Sequence, residues 1–464
     1  MGKTSSRRTR LLAVATTAGL TMAGAWVAGP AQAGKPAPVP TPVANYLATT
    51  ALPDPSEALA IDTSTGTVYA MTESESDTGG EVGVDAVANP AFASAGQVTA
   101  ADCGEDQHDI AIIDPSTNQV TGYIAVSGEA EYMAVDPQLH KLYVPQYNDE
   151  GPAAPQCLAV VDLASASHDV TYYSIPFTYK DTGYQYDPTG VAVDTTTHVA
   201  YLGGKMPEVE GDAEGGEGVI MAFDGSAGKF IDAVAPAGDD PESVAFNHSA
   251  GANGRVYAAN EDEGTLSIAP AIYLGTSGAW RTGTFAASTM KLGPIFDASE
   301  CPAGTYQPAE ADKLAVDEIT NMVYLTDDRF RLAAIKGNAT DLTGVQILRL
   351  SPNGTCPTSP VPEVYNYANN IAIDPYLGSV INRSGTRGGL AYVTTENWQV
   401  SIVDLKSFTK VSTFGIEDNL GRAVHIDWPI VNPYTDPDRF YVTDEQRTAV
   451  YVYELGDALS PLAK

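Results

Sequence analysis

The sequence is short of positive charge: 25 lysines and arginines stand against 58 aspartates and glutamates. A field of that sign repels phosphate backbones and anionic lipid surfaces, which argues against nucleic acid as a partner and favours cations and basic partners. The same acidity also serves simply to keep an extracellular protein soluble. Histidine is scarce, with six residues scattered between His108 and His425, so a multi-histidine metal centre would need convergence from distant segments. The four cysteines, Cys103, Cys157, Cys301 and Cys356, form no C-x-x-C and no close Cys/His group, which speaks against structural zinc, thiol redox chemistry and haem attachment. No H-E-x-x-H, G-x-S-x-G, Walker loop or dinucleotide fingerprint occurs, so the signals of the enzyme classes that use them are missing.

The one long apolar run is at the start. Arg7, Arg8 and Arg10 precede a stretch from Leu11 to about Ala28, and Ala31-Gln32-Ala33 supplies a small-x-small cleavage pattern. Residues 1–33 are therefore expected to be a signal peptide, the protein to be secreted, and no integral membrane association to remain once the peptide is removed, since no later stretch is apolar enough to span a bilayer. The paired arginines also resemble a twin-arginine signal, although Arg10 stands where that signal prefers a large apolar residue. Removal leaves 21 basic against 58 acidic residues, a formal charge of about −37. Residues 34–43 read as a Pro-rich leader and 44–464 as a single domain. In an oxidising compartment an even number of cysteines reads as two disulfides, with three connectivities open.

Self-similarity decides the fold class. Seven segments carry an apolar pair around one residue and close on Asp or Asn: Leu59–Asp62, Met133–Asp136, Val191–Asp194, Val244–Asn247, Leu314–Asp317, Ile371–Asp374 and Val424–Asp427. The period of two marks a short strand, and the closing side chain suits the backbone of a following turn. A tyrosine in a second apolar stretch follows each, at 69, 143, 201, 257, 324, 392 and 441. Third strands such as Ile110–Asp114, Leu158–Asp162 and Val400–Asp404, and fourth strands such as Gln119–Val126 and Lys410–Phe414, complete a four-stranded unit. Seven such units without helical periodicity predict an all-β, seven-bladed β-propeller with four-stranded antiparallel blades.

Tyr392-Val393-Thr394-Thr395 and Tyr441-Val442-Thr443-Asp444, with the Val-x-Ile-Val-Asp strand that follows the first, resemble the YVTN repeats of bacterial seven-bladed propellers related to YncE-like proteins. The resemblance runs from about Asn45 to Asp457; it implies the fold and leaves activity open, because such propellers include binding proteins, adhesion modules and enzymes. The last unit lacks a fourth strand, and Tyr46–Thr50 is expected to supply it beside Ala449–Tyr453, closing the ring and hiding two sheet edges. Cys103 and Cys157 fall in loops between second and third strands of adjacent blades and are expected to pair, leaving Cys301 with Cys356.

Propeller sites lie at the channel mouth. The residue five places before each closing Asp or Asn is Glu57, Glu131, Thr189, Glu242, Asp312, Asn369 or Arg422. Glu57, Glu131, Glu242, Asp312 and Asn369 are accordingly the candidate ligand-binding residues, and the four acids the candidate ligands of a divalent cation such as calcium, because converging carboxylates raise one another's pKa until a cation or amine relieves them. Further acids follow the second strands, at Glu73, Glu261, Asp327, Asp328, Glu396, Asp444 and Glu445. A solvated acidic rim is the plainer reading of both sets. In the ring Ala60, Ala134, Ala192, Ala245, Ala315 and Ala372, the seventh repeat has His425, three residues after Arg422. That pair would be the catalytic base and anion clamp of a lactonase-like hydrolase or a lyase; a histidine filling a packing gap is the plainer alternative. The expectation for function is a secreted, non-enzymatic binding or scaffold propeller whose acidic face takes a cation, a basic peptide or another protein or cell-wall ligand.

Overall fold

In a computed structural model of the protein, described over residues 42–72, 96–104, 107–128, 130–147, 155–179, 184–206, 217–296, 310–327, 330–350, 370–374, 389–395, 399–415, 429–432, 439–444 and 448–457, the alternating segments pair into seven small antiparallel sheets, the blades of a seven-bladed β-propeller. In chain order the first strands are Ser56–Ile61, Ala134–Asp136, Asp187–Asp194, Pro241–Asn247, Ala311–Asp317, Asn370–Asp374 and Pro429–Asn432. Each first strand meets that of the next blade, and the seventh meets the first, so these strands ring the central channel. Two blades exceed four strands: Gln97–Val98, from the loop of blade one, pairs outside Val170–Ser174 of blade two, and in blade three both Lys229–Phe230 and Ala235–Asp239 pair with Glu217–Asp224. Among the described residues no helix is long and apolar enough to cross a membrane.

The core is divided as the repeat dictates. Seven apolar clusters fill the interfaces between neighbouring blades, each built from the facing sides of two sheets. The repeat tyrosines Tyr69, Tyr143, Tyr201, Tyr257, Tyr324, Tyr392 and Tyr441 are all at most 4% exposed and each projects into the interface with the following blade. A phenol so buried needs a polar partner at its tip. Tyr257 donates to the Gly337 carbonyl at 2.6 Å, and the Tyr201 oxygen accepts the Ile272 N–H at 2.9 Å, in both cases from the next blade. In six blades the strand partner of the tyrosine is the small alanine of the repeat, as in Ala60 opposite Tyr69 and Ala372 opposite Tyr392.

Closing Asp and Asn side chains cap their turns as the pattern implies: Asp62 accepts the Ser64 N–H at 2.8 Å, and Asp136, Asp194, Asn247 and Asp317 do the same two residues on. Left-handed backbone ends these turns, at Gly66, His140, His198, Gly251 and Asn321. His140 and His198 are thus turn residues, and His198 Nδ1 reaches back to Asp136 Oδ2 of the preceding blade at 2.7 Å.

Ring closure follows expectation. Pro42–Ala51 is the outermost strand of blade seven, with Tyr46 opposite Tyr453 and Thr50 opposite Val450. Pairing begins at Pro42, two residues inside the stretch read as leader; an edge strand tolerates a proline there because the missing N–H need not serve a neighbour on that side. In blade seven the described strand beside Arg439–Asp444 is Pro429–Asn432, where Ile430 is the partner of Tyr441. This segment also fits the local apolar pattern; Val424–Asp427, the segment read from the repeat, lies outside the described residues.

Candidate functional site

The rim position of the repeat coincides with a β-bulge. Pairing of first and second strands skips between Ser56 and Ala58, Pro188 and Val191, Pro241 and Ser243, and Ala311 and Leu314. The skipped residues include Glu57, Thr189, Glu242 and Asp312, each five before the closing residue. A bulge bends its strand and re-aims a side chain; here it does so at the channel mouth. Glu131 holds the same place just ahead of Ala134–Asp136.

Three of the expected acids, Glu131, Glu242 and Asp312, share one electrostatic cluster, and the Lys313 ammonium lies within it. Lys313 Nζ is 2.5 Å from Glu242 Oε2, 3.0 Å from Asp312 Oδ1 and 3.1 Å from the Tyr132 hydroxyl. Tyr132 belongs to blade two and Lys313 to blade five, so this contact spans the channel. Lys205, Asp187, Asp240 and Glu261 complete the group, and Tyr147 donates to Glu131 at 3.3 Å. Thr189, at the rim of blade three, instead ties blades together through the Pro241 carbonyl at 2.5 Å. Asp327 pairs with buried Arg331 at 2.5 Å.

Charge is shared unevenly. Burial, with Glu242 beside it, pushes Glu261 up to about 9, so it is neutral at pH 7. Burial raises Asp240 and Asp312 to about 6 against the pull of Lys205 and Lys313, respectively, and raises Glu131 as well. Burial would also raise Glu242, but Lys313 and Lys205 together hold it below the usual carboxylate range. Both lysines are held above theirs by the surrounding acids despite burial. The mouth therefore places a neutral carboxyl and an ionised carboxylate in one electrostatic group, retains more acids than bases, and is already partly neutralised by ammonium. Lys313 occupies the space a divalent ion bridging Glu242 and Asp312 would need, and among the described residues no group of three or more His, Cys, Asp and Glu side chains is arranged to hold a metal.

Lys205 and Tyr147 carried a legible signal: each stands four residues after its repeat tyrosine, in register with Glu73 and Glu261. A search for acids alone passes over them. Lys313 is harder to foresee, because it stands one place after the rim position and reaches the mouth through a bulge that skips both Asp312 and Lys313. The Glu57 side chain, and Asn369, Arg422 and His425 entirely, lie outside the described residues, as do Cys301 and Cys356. Cys103 and Cys157 are joined, linking the loop of blade one to the third strand of blade two. No protein-family model matches this chain, and no curated protein matches it.

Proposed function

We propose that the protein is a secreted, non-enzymatic binding propeller of the YVTN-like kind, whose acidic mouth accepts the ammonium groups of a basic peptide or of an amine-bearing wall component. One observation carries this reading: among the described residues Glu131, Asp187, Asp240, Glu242, Glu261 and Asp312 gather around two bases, and both are primary ammonium groups. An environment that holds Lys205 and Lys313 protonated favours another alkylammonium for the same electrostatic reason. Export is supported by residues 1–33 and by the Cys103–Cys157 bridge, a bond that persists in oxidising compartments. The test is calorimetric titration with an oligolysine peptide at low and high salt. Binding that weakens with salt, and weakens at least tenfold further in Glu131→Gln, supports the reading; absence of binding to the wild type at low salt overturns it.

A second reading has one observation in its favour. Neutral Glu261 close to ionised Glu242 is the pairing an acid–base catalyst needs, so the hydrolase or lyase alternative would run through these carboxyl groups. Turnover of a lactone or uronide panel, lost in Glu261→Gln, would establish it; no turnover of any member removes it.

A further inference from the structure

The repeat departs from its own pattern on the face opposite the mouth. Third and fourth strands join through a four-residue turn in blades one, three and six, at 115–118, 225–228 and 405–408. In blade four the connection runs instead from Ala271 to Thr289. This insertion is built and anchored. Ile272 and Phe285 are fully buried in the interface of blades three and four, and the Ile272 N–H donates to the Tyr201 hydroxyl at 2.9 Å. Between them a small hairpin closes through Gly275 N–H to Ala279 O at 2.9 Å and Arg281 N–H to Tyr273 O at 3.0 Å, and the short helix Thr282–Ala287 follows.

The hairpin and the turn of blade three enclose an open groove of ≈ 520 Å³, within the range of about 300–1,000 Å³ common to small-ligand pockets. Its one aromatic wall is Trp280, whose indole N–H donates to Asp224 Oδ2 at 3.0 Å. Asp224 is itself fixed, its other oxygen accepting the Ser226 and Ala227 N–H groups at 3.0 and 2.9 Å. The indole is thus held by a fixed carboxylate, and by packing against the interface of blades three and four, before any ligand arrives. Around it stand the Ser226 and Thr197 hydroxyls, the exposed Lys229 ammonium and Leu274, which is 52% exposed. A pre-oriented indole face beside hydroxyl and ammonium groups suits a ring with one apolar face and hydroxyls at its edge. A strongly anionic ligand is disfavoured by the formal charge of −33, and an extended apolar ligand by the polar rim.

We propose that this groove is a saccharide-binding subsite, in which a neutral pyranose ring stacks on Trp280 and its hydroxyls pair with Ser226 and Lys229. It shares no residue with the mouth. The full-length protein is applied to an array of neutral oligosaccharides, and hits are quantified by titration and saturation-transfer NMR. At least one neutral glycan is expected to bind, with ring protons showing the strongest transfer and affinity falling at least tenfold in Trp280→Ala. Should that variant unfold, Ala227→Trp fills the groove from an exposed turn while leaving the Trp280–Asp224 bond in place, and is expected to abolish binding. Glu131→Gln is expected to leave it unchanged. Absence of any glycan binding by the wild type overturns the proposal, as does binding that survives a folded Trp280→Ala or Ala227→Trp variant.

Discussion

Lys313 is only 15% exposed at its side chain and stands between two carboxylates that are themselves 19% exposed. Removing one member of such a group leaves the others buried and unpaired, which costs on the order of 3–5 kcal/mol. Lys313→Met is therefore expected to lower stability by about that amount in denaturant melts, and to acquire a calcium-dependent rise in melting temperature larger than that of the wild type, because Glu242 and Asp312 then face an open position. A wild-type response to calcium as large as the variant's would place the ion elsewhere. Glu261 supplies a prediction about pH. Its carboxyl rises from 4.5 to about 9 on folding, so the folded chain holds a proton that the unfolded chain releases between those values. The stability this contributes is full below about pH 4.5 and is lost as pH rises toward 9. Asp240 and Asp312, raised to about 6, act in the same sense at the acid end. Glu261→Gln keeps the neutral side chain and removes the titration. Its melting temperature is expected to exceed that of the wild type at pH 8, by a margin that widens as pH rises from 4.5, and to match it at pH 4.5; parallel stability curves across that range would refute the assignment.

The Cys103–Cys157 bridge and the strand Gln97–Val98 work as one clasp, since both carry the loop of blade one onto blade two. The bridge closes a sequence separation of 54 residues, so its loss in a Cys103→Ser, Cys157→Ser variant is expected to cost about 2–4 kcal/mol. Hydrogen exchange localises the effect: faster exchange at Gln97–Val98 and Tyr172–Tyr173 with the mouth unchanged is the expected result, and unchanged protection at these strands would sever the link between bridge and clasp. At this scale the sequence was informative wherever local chemistry repeats. The tyrosines, their opposing alanines and the Asp-capped turns are legible because each is fixed by neighbours a few residues away. Blade seven is ambiguous at this level, because Val424–Asp427 and Pro429–Asn432 satisfy the same local pattern, and the pairing of Pro429–Asn432 with Arg439–Asp444 depends on a strand beyond a turn of altered length. The mouth was half legible for a related reason. Residue position at the rim follows from the repeat, whereas the Tyr132–Lys313 contact joins opposite sides of the channel and leaves no periodic trace.

For the molecule as a whole, the physical question is how a ring of seven weakly differing blades stays shut. Interface tyrosines act all the way round, but the junction of blades seven and one carries additional ties. Pro42–Ala51 runs antiparallel to Ala449–Asp457 almost end to end, and Tyr46 meets Tyr453 edge to face at 5.9 Å. The Thr50 hydroxyl donates to the Asn118 carbonyl of blade one at 2.8 Å, while Arg439 of blade seven reaches the Pro115 carbonyl and, at 3.0 Å, Asn118 Oδ1 in the same turn. The strand that closes blade seven is thus also fastened to blade one. Removing residues 42–51 would strip Ala449–Asp457 of one neighbour, expose its backbone donors and acceptors, and free the turn at 115–118 from one of its two partners. A chain lacking this segment is expected to self-associate in light scattering, because an open sheet edge pairs with whatever strand it meets. The vacancy has a defined occupant, so a synthetic peptide of residues 42–51 added in trans should restore the size of the intact protein and raise the melting temperature in proportion to its occupancy. A scrambled peptide of identical composition distinguishes register from mere stickiness: the native order aligns Tyr46 with Tyr453 and Thr50 with Asn118, and the scrambled order does not. Equal rescue by both peptides, or a truncated chain that keeps the size of the intact protein without either, would show that the ring is closed by the other blade interfaces and that this strand is not its fastening.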